Sequence, residues 1–220
     1  MKNEEANGEA LSSLHKIILK NVCFEYAGSN TRIEYPDLVL EEKNVYHLVG
    51  INGAGKSTLL KILAKYYYNY EGSILVNGEQ KLKDIDERSW HGFLAFIPQK
   101  PLLFHMSIRD NILLGNREAD RDLYEKLLDD FRIKELEDKI VGFGGEGISG
   151  GEAQSISLVR ALLRKPQMIL ADEPYNTLDV SRKEMLNKYI DMMDSTTFII
   201  VSHQVFLTER EIHTMEVCVE

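Results

Sequence analysis

The sequence predicts an α/β fold: a mostly parallel sheet with flanking helices, an antiparallel β edge and a short helical insertion. Three observations carry this prediction. The β-like run 44–49 leads through a glycine-rich stretch into Leu59, Leu60, Ile62, Leu63 and Tyr67, whose spacing is helical. Two uninterrupted apolar runs, 168–171 and 198–201, have the composition of parallel strands buried on both faces. A further run, 72–78, is bracketed by turn residues, and its Asn77-Gly78 step is a strong hairpin signal.

In chain order, residues 1–15 are polar and without strand or helix periodicity, which predicts a flexible lead-in or linker before one folded domain over 16–220. Ile17-Ile18-Leu19 and Val22-Cys23-Phe24 read as β structure, and 32–41 as a further strand and turn. A helical subdomain is expected over roughly 105–165. Within it, 117–140 sets nine acids and six bases around Leu123, Leu127, Phe131 and Leu136, the pattern of an amphipathic helix with a solvated outer face. Six glycines among the ten residues 142–151 imply a loop or a close backbone approach. Leu158, Leu162 and Leu163 then lie on a helix that Pro166 ends, and 204–220 must supply any terminal strands.

Composition narrows the function. With 220 residues, 44% of them hydrophobic, the chain can bury a real core as one domain or two joined lobes. Its 26 basic and 35 acidic residues leave a formal charge of −9, so no nucleic-acid partner is expected. No apolar stretch approaches the roughly 20 residues of a membrane-spanning helix. The acidic first residues have neither a signal-peptide core nor the basic character of a transit peptide, and the cytosol is the expected compartment. Cys23 and Cys218, far apart and outside any Cys-x-x-Cys pairing, predict reduced structural thiols. His15, His47, His91, His105 and His213 show no metal-ligand spacing and receive no catalytic role.

The sharpest motif is Gly50-Ile51-Asn52-Gly53-Ala54-Gly55-Lys56-Ser57, which fits G-x-x-x-x-G-K-S between a strand and a helix. Glycines let the backbone N–H groups curl toward phosphate oxygens, and the following helix adds its positive end. Lys56 supplies charge for the β and γ phosphates of a nucleotide, and the Ser57 hydroxyl is a hard ligand suited to Mg²⁺. Met168-Ile169-Leu170-Ala171-Asp172-Glu173 delivers two carboxylates to a strand end. Asp172 would hold the metal through water and Glu173 would polarise the attacking water.

Ile148-Ser149-Gly150-Gly151-Glu152, lying between these two motifs, resembles the Leu-Ser-Gly-Gly-Gln signature of ABC-type ATPases, and the resemblance covers about 16–203. It implies a P-loop NTPase core of the ABC ATPase type, with ATP and Mg²⁺ as ligands. Tyr26, in Phe24-Glu25-Tyr26, resembles the family's adenine-stacking aromatic, and Thr58 closes the nucleotide loop with Asn52, Gly53 and Ala54. Gln99 resembles the glutamine that reaches the metal and the attacking water, and His203 the switch histidine at the γ-phosphate. Asn176-Thr177-Leu178-Asp179 is similar to the loop that meets the opposite subunit, with Asp179 its dimer-loop residue. The resemblance further implies a head-to-tail pair in which Ser149, Gly150, Gly151 and Glu152 of one domain close on ATP held by the other. Hydrolysis would use Glu173, His203, Gln99 and Lys56, with Ser57, Gln99 and Asp172 at the metal. The implied partners are a second ATPase domain and a transmembrane domain, fused or separate, which places the chain at the cytoplasmic face of a membrane.

The chain departs from the family pattern at Glu152, where glutamine is common, at Ser155, where arginine is frequent, and in a short helical segment between Gln99 and Ser149. The stretch from Gln99 to Ile112, with its Leu-Phe and Asn-Ile pairs, resembles the exporter branch, as does Gly145-Glu146-Gly147. Export of a peptide, lipid or drug is therefore the leading reading. The alternatives are a soluble ABC-type ATPase acting as a conformational switch, and the ATPase of a lipoprotein-release or tripartite efflux system.

Overall fold

A computed structural model describes residues 8–28, 31–116 and 118–217. Two sheets form the frame. The first is antiparallel, in the order β2-β1-β5-β6, with β3 also on β1. Its long strand β1 (Lys16–Glu25) pairs with β2 (Arg32–Glu34), β3 (Leu38–Glu41) and β5 (Glu71–Val76), and β6 (Gln80–Lys81) follows the turn at Asn77 and Gly78, both at positive φ. The second is wholly parallel, in the order β10-β4-β9-β8-β7, built from β4 (Val45–Val49), β7 (Leu94–Ile97), β8 (Met168–Asp172), β9 (Thr197–Val201) and β10 (Ile212–Glu216).

The continuous apolar runs behave as their composition requires, since every residue of β8 and β9 is buried. Side-chain alternation splits them between two cores. Met168, Leu170, Ile199 and Val201 face the core shared with α1 (Lys56–Leu63) and the antiparallel sheet. Ile169, Ala171, Phe198 and Ile200 face the core shared with α5 (Gly150–Leu163) and α6 (Val180–Met192). Two further helices precede α5 between 105 and 165: α3 (Ile108–Ile112), and α4 (Arg121–Asp130), which buries Tyr124, Leu127 and Leu128. The remaining helix, α2 (Glu87–Phe93), leads into β7. Asp120 caps α4, accepting from Leu123 N at 3.1 Å, and binds Lys165 Nζ at 2.9 Å. From the segment after His203, β10 adds itself to the open edge of β4.

The flexible lead-in expected over 1–15 is packed where it is described. Residues 1–7 lie outside the described residues, but from Gly8 the chain is packed. Glu9 N donates to Asp84 O at 3.0 Å and its carbonyl accepts from Asp86 N at 2.9 Å. Leu11 N donates to Ser89 Oγ at 2.8 Å. The physical reason is apolar: Leu11 and Leu14 are buried in the same core as Leu82, Ile85 and Trp90. Cys23 is buried as a free thiol between Arg32 and Glu71, while Cys218 lies outside the described residues. No helix among the described residues is long and apolar enough to cross a membrane.

Candidate functional site

The loop 50–55 runs from the end of β4 into α1, and the antiparallel sheet braces it from below. Tyr35 Oη donates to Gly55 O at 3.0 Å. Gly55 caps α1 at φ 89°, and a Cβ there would stand 2.5 Å from Ile33 Cγ2. Only glycine meets both demands, the left-handed backbone and the close contact. Lys56, at the first turn of α1, is buried and reaches back across the loop to Gly50 O at 2.7 Å and Ile51 O at 3.0 Å.

Ser57 and Thr58 face two sides of the loop. Ser57 Oγ donates to Asp172 Oδ1 at 2.8 Å, and Thr58 Oγ1 lies 2.5 Å from Tyr26 Oη. The Tyr26 ring stands edge-on to Phe24 at 4.9 Å and to Tyr67 at 5.9 Å, which fixes its plane at the mouth of the loop. Burial pushes the Asp172 carboxyl above its usual range, against the pull of the Ser57 hydrogen bond and of Lys61 and Lys56.

Glu173 leaves β8 in a left-handed conformation at φ 51°, uncommon for a residue with a side chain, and its N–H donates to Val201 O at 2.8 Å. Its carboxylate is 5% exposed. Oε1 lies 3.4 Å from His203 Nε2, and Oε2 accepts from His203 N at 3.4 Å. The result is a cleft of about 280 Å³ whose lining includes Tyr26, the backbone of 52–55, Lys56, Ser57, Thr58, Gln99, Glu173 and His203. Asp172 sits beneath it through Ser57.

Ser149, Gly150, Gly151, Glu152 and Asp179 do not line this cleft. They gather elsewhere. Ser149 caps α5 in a reciprocal box: its Oγ accepts from Glu152 N at 3.2 Å, and the Glu152 carboxylate accepts from Ser149 N at 2.7 Å. Thr177 Oγ1 donates to Gly150 O at 3.1 Å, which sets the 176–179 loop against the start of α5. Asp179 caps α6, accepting from Arg182 N at 2.9 Å and pairing with Arg182 Nη1 at 2.8 Å.

Several supporting residues carried no signal in the sequence. Tyr35 and Ile33 brace Gly55. His47, which received no catalytic role, has Nε2 2.9 Å from Ser202 O, beside His203. Gln204 joins Lys183 and Asn176. Each of these contacts spans at least 20 residues of sequence, or joins residue types with no local pattern.

The model of a family described as "ABC transporter" matches residues 34–176. The chain is 32% identical over 212 residues to ABC transporter B family member 1 of Dictyostelium discoideum, covering 92% of this chain and 23% of that protein. It is 33% identical over 202 residues to an export ATP-binding/permease protein of Rickettsia typhi, covering 86% of this chain and 34% of the relative. The structure of a bacterial Atm1-family ABC exporter with ATP bound superposes with a TM-score of 0.85 at 25% identity, over 96% of this chain and 39% of that one. The chain thus spans about a quarter to a third of the length of these curated relatives. A family match over most of the sequence, joined to this fold, identifies the chain as a member of the ABC transporter family.

Proposed function

We propose that the chain binds ATP with Mg²⁺ in the cleft, hydrolyses it as half of a head-to-tail pair, and drives export through a membrane domain, fused or separate, at the cytoplasmic face of a membrane. The observation that carries this reading is the division of the site. The phosphate loop, Glu173 and His203 share one cleft, with Asp172 bonded to Ser57 beneath it, whereas Ser149–Glu152 open a different helix beside the 176–179 loop. A helix start with glycines at its first two positions is a ready phosphate site that this cleft does not use, so a second ATPase domain is the natural supplier of its nucleotide.

In this reading the residues divide the work. Tyr26 presents its ring to adenine. The backbone N–H groups of Gly53, Ala54 and Gly55 and the start of α1 receive phosphate oxygens, with Gly50 and Asn52 shaping the turn. Lys56 exchanges its bonds to the Gly50 and Ile51 carbonyls for phosphate oxygens. Ser57, Asp172 and Gln99 offer hydroxyl, carboxylate and amide oxygens, a hard donor set that fits Mg²⁺, with two members already 2.8 Å apart. When bound, Mg²⁺ would be held by Ser57, Gln99 and Asp172 and would offset the negative charge of the phosphates.

Glu173 accepts the proton of the attacking water as its oxygen bonds to the γ-phosphorus and the bond to ADP breaks. His203, beside Glu173, holds the γ-phosphate. Ser149, Gly150, Gly151 and Glu152 meet the nucleotide of the opposite domain, and Asp179 lies on the loop that faces it. Loss of the γ-phosphate removes the shared ligand, and the pair opens.

The test is Glu173→Gln, which keeps shape and removes the base. Static light scattering with saturating ATP and Mg²⁺ should report a mass twice that of the nucleotide-free protein, with no phosphate released. A variant that stays monomeric under those conditions would overturn the head-to-tail mechanism.

A further inference from the structure

The side chain of His203 is 55% exposed and touches Glu173 only at 3.4 Å, so its own contacts do not fix where it stands. Its neighbours in sequence do. Ser202 and Gln204 lock the backbone around it: Gln204 N donates to Ser202 Oγ at 2.9 Å, and Ser202 Oγ donates to Gln204 O at 2.9 Å. His47, on β4, holds Ser202 O. The half-buried Gln204 side chain then reaches away from the site in two directions. Its Oε1 accepts from Lys183 Nζ on α6 at 2.7 Å, and its Nε2 donates to Asn176 Oδ1 at 3.4 Å.

An amide is suited to this position because one group supplies both an acceptor and a donor. A second contact joins the same two loops. Phe206, 4% exposed, stacks on Tyr175 at 5.6 Å and 13°. Two independent ties therefore bind the segment 202–206 to the segment 175–176, and Thr177 in turn touches the start of α5.

We propose that Gln204 is a positioning residue of the hydrolytic centre, coupling the placement of His203 beside Glu173 to the 176–179 loop through Asn176 and Lys183. The proposal rests on the reading that His203 and Glu173 serve ATP hydrolysis. It adds a route by which a change at the 176–179 loop is felt at His203. Because the route runs through hydrogen bonds shared by three side chains, their effects must be non-additive.

The experiment uses the full chain and three variants, Gln204→Ala, Lys183→Ala and the double substitution, with Gln204→Glu as the conservative control. Each hydrogen bond removed displaces His203, and kcat for ATP hydrolysis should fall about tenfold in Gln204→Ala while KM stays within about twofold. The double variant should be no slower than the slower single. Gln204→Glu, which keeps the acceptor for Lys183 but loses the donor to Asn176, should recover only part of the rate. Amide hydrogen exchange in Gln204→Ala should rise over 176–179 as well as over 202–206. Unchanged kcat, additive losses, or exchange that rises only around the substituted residue would each overturn the proposal. His203→Ala is measured alongside. If it hydrolyses ATP as fast as wild type, the reading of His203 fails, and the exchange data still decide whether Gln204 couples the two loops.

Discussion

Ser57 Oγ donates to Asp172 Oδ1 at 2.8 Å, joining two residues 115 apart in sequence and tying the first turn of α1 to the end of β8. The pair sets a hydroxyl and a carboxylate side by side. Asp172→Asn keeps an acceptor for Ser57, so the fold should hold, but it removes the charge a divalent cation requires. The enhancement of ATP affinity by Mg²⁺ should fall roughly 10- to 100-fold. Titration of a fluorescent ATP analogue with Mg²⁺ and with EDTA reads this directly. Full Mg²⁺ enhancement in Asp172→Asn would remove Asp172 from the metal site.

Tyr26 offers a separate test of the adenine end. Its ring is held edge-on to Phe24 and Tyr67, and its hydroxyl meets Thr58. A base stacked on an aromatic ring is stabilised by about 1–3 kcal/mol, so Tyr26→Ala should weaken ATP binding roughly tenfold or more. Tyr26→Phe, which loses only the hydroxyl contact, should bind within about threefold of wild type. Competition by inorganic tripolyphosphate should be equal in all three proteins, because it has no base. Equal loss of tripolyphosphate binding would show that Tyr26 shapes the phosphate loop instead.

A buried amide in α5 gives a stability prediction. Among the described residues, Gln154 Nε2 is a fully buried side-chain nitrogen with no hydrogen-bond partner. An unsatisfied buried donor costs about 1–3 kcal/mol, and an unbranched apolar side chain of similar length removes it. Gln154→Met should therefore raise Tm by about 2–4 °C in differential scanning calorimetry. A fall in Tm would mean that the amide stabilises the fold despite its lone nitrogen.

How much of this was legible in the sequence depended on where each residue's partner lies. The phosphate loop was legible because its residues are contiguous, and its strand and helix context is equally local. The buried strands β8 and β9 were legible because four or five apolar residues in a row admit few other environments. Gln99, His203 and the Ser149–Glu152 signature carry little chemistry alone and were found only through family resemblance. Leu11 and Leu14 carry no signal because two leucines in a polar stretch have no period, and what buries them includes Leu82, Ile85 and Trp90, far along the chain. Tyr35 is 20 residues from Gly55, and His47 is 155 from Ser202, so nothing near either residue announces its contact. Gln204 is ordinary in sequence and becomes informative only once Lys183 and Asn176 converge on it.

Glu152 is the departure from the family signature with the clearest physical consequence. Its carboxylate accepts from Ser149 N, and that hydrogen bond, with smaller contributions from the Ser149 side chain, Lys139 and Arg182, holds its carboxyl below the usual range. A depressed pKa keeps the group charged from neutral pH down through the ordinary carboxylate range. The start of α5 thus carries a fixed negative charge where the proposed pair needs to meet the phosphates of the opposite nucleotide. Glutamine fills the same capping box without that charge, so Glu152→Gln should keep the fold while lowering Tm slightly. Two like charges about 4 Å apart in water repel by about 1 kcal/mol, so removing this one should give roughly a two- to fivefold gain in affinity for the opposite nucleotide. In a Glu173→Gln background, where hydrolysis is blocked, the ATP concentration giving half-maximal dimer by light scattering should fall by that factor. The difference should shrink on acidification only as Glu152 itself becomes protonated, below the ordinary carboxylate range. A dimer that forms no more readily, or less readily, in Glu152→Gln would show that the carboxylate does not face the partner's nucleotide.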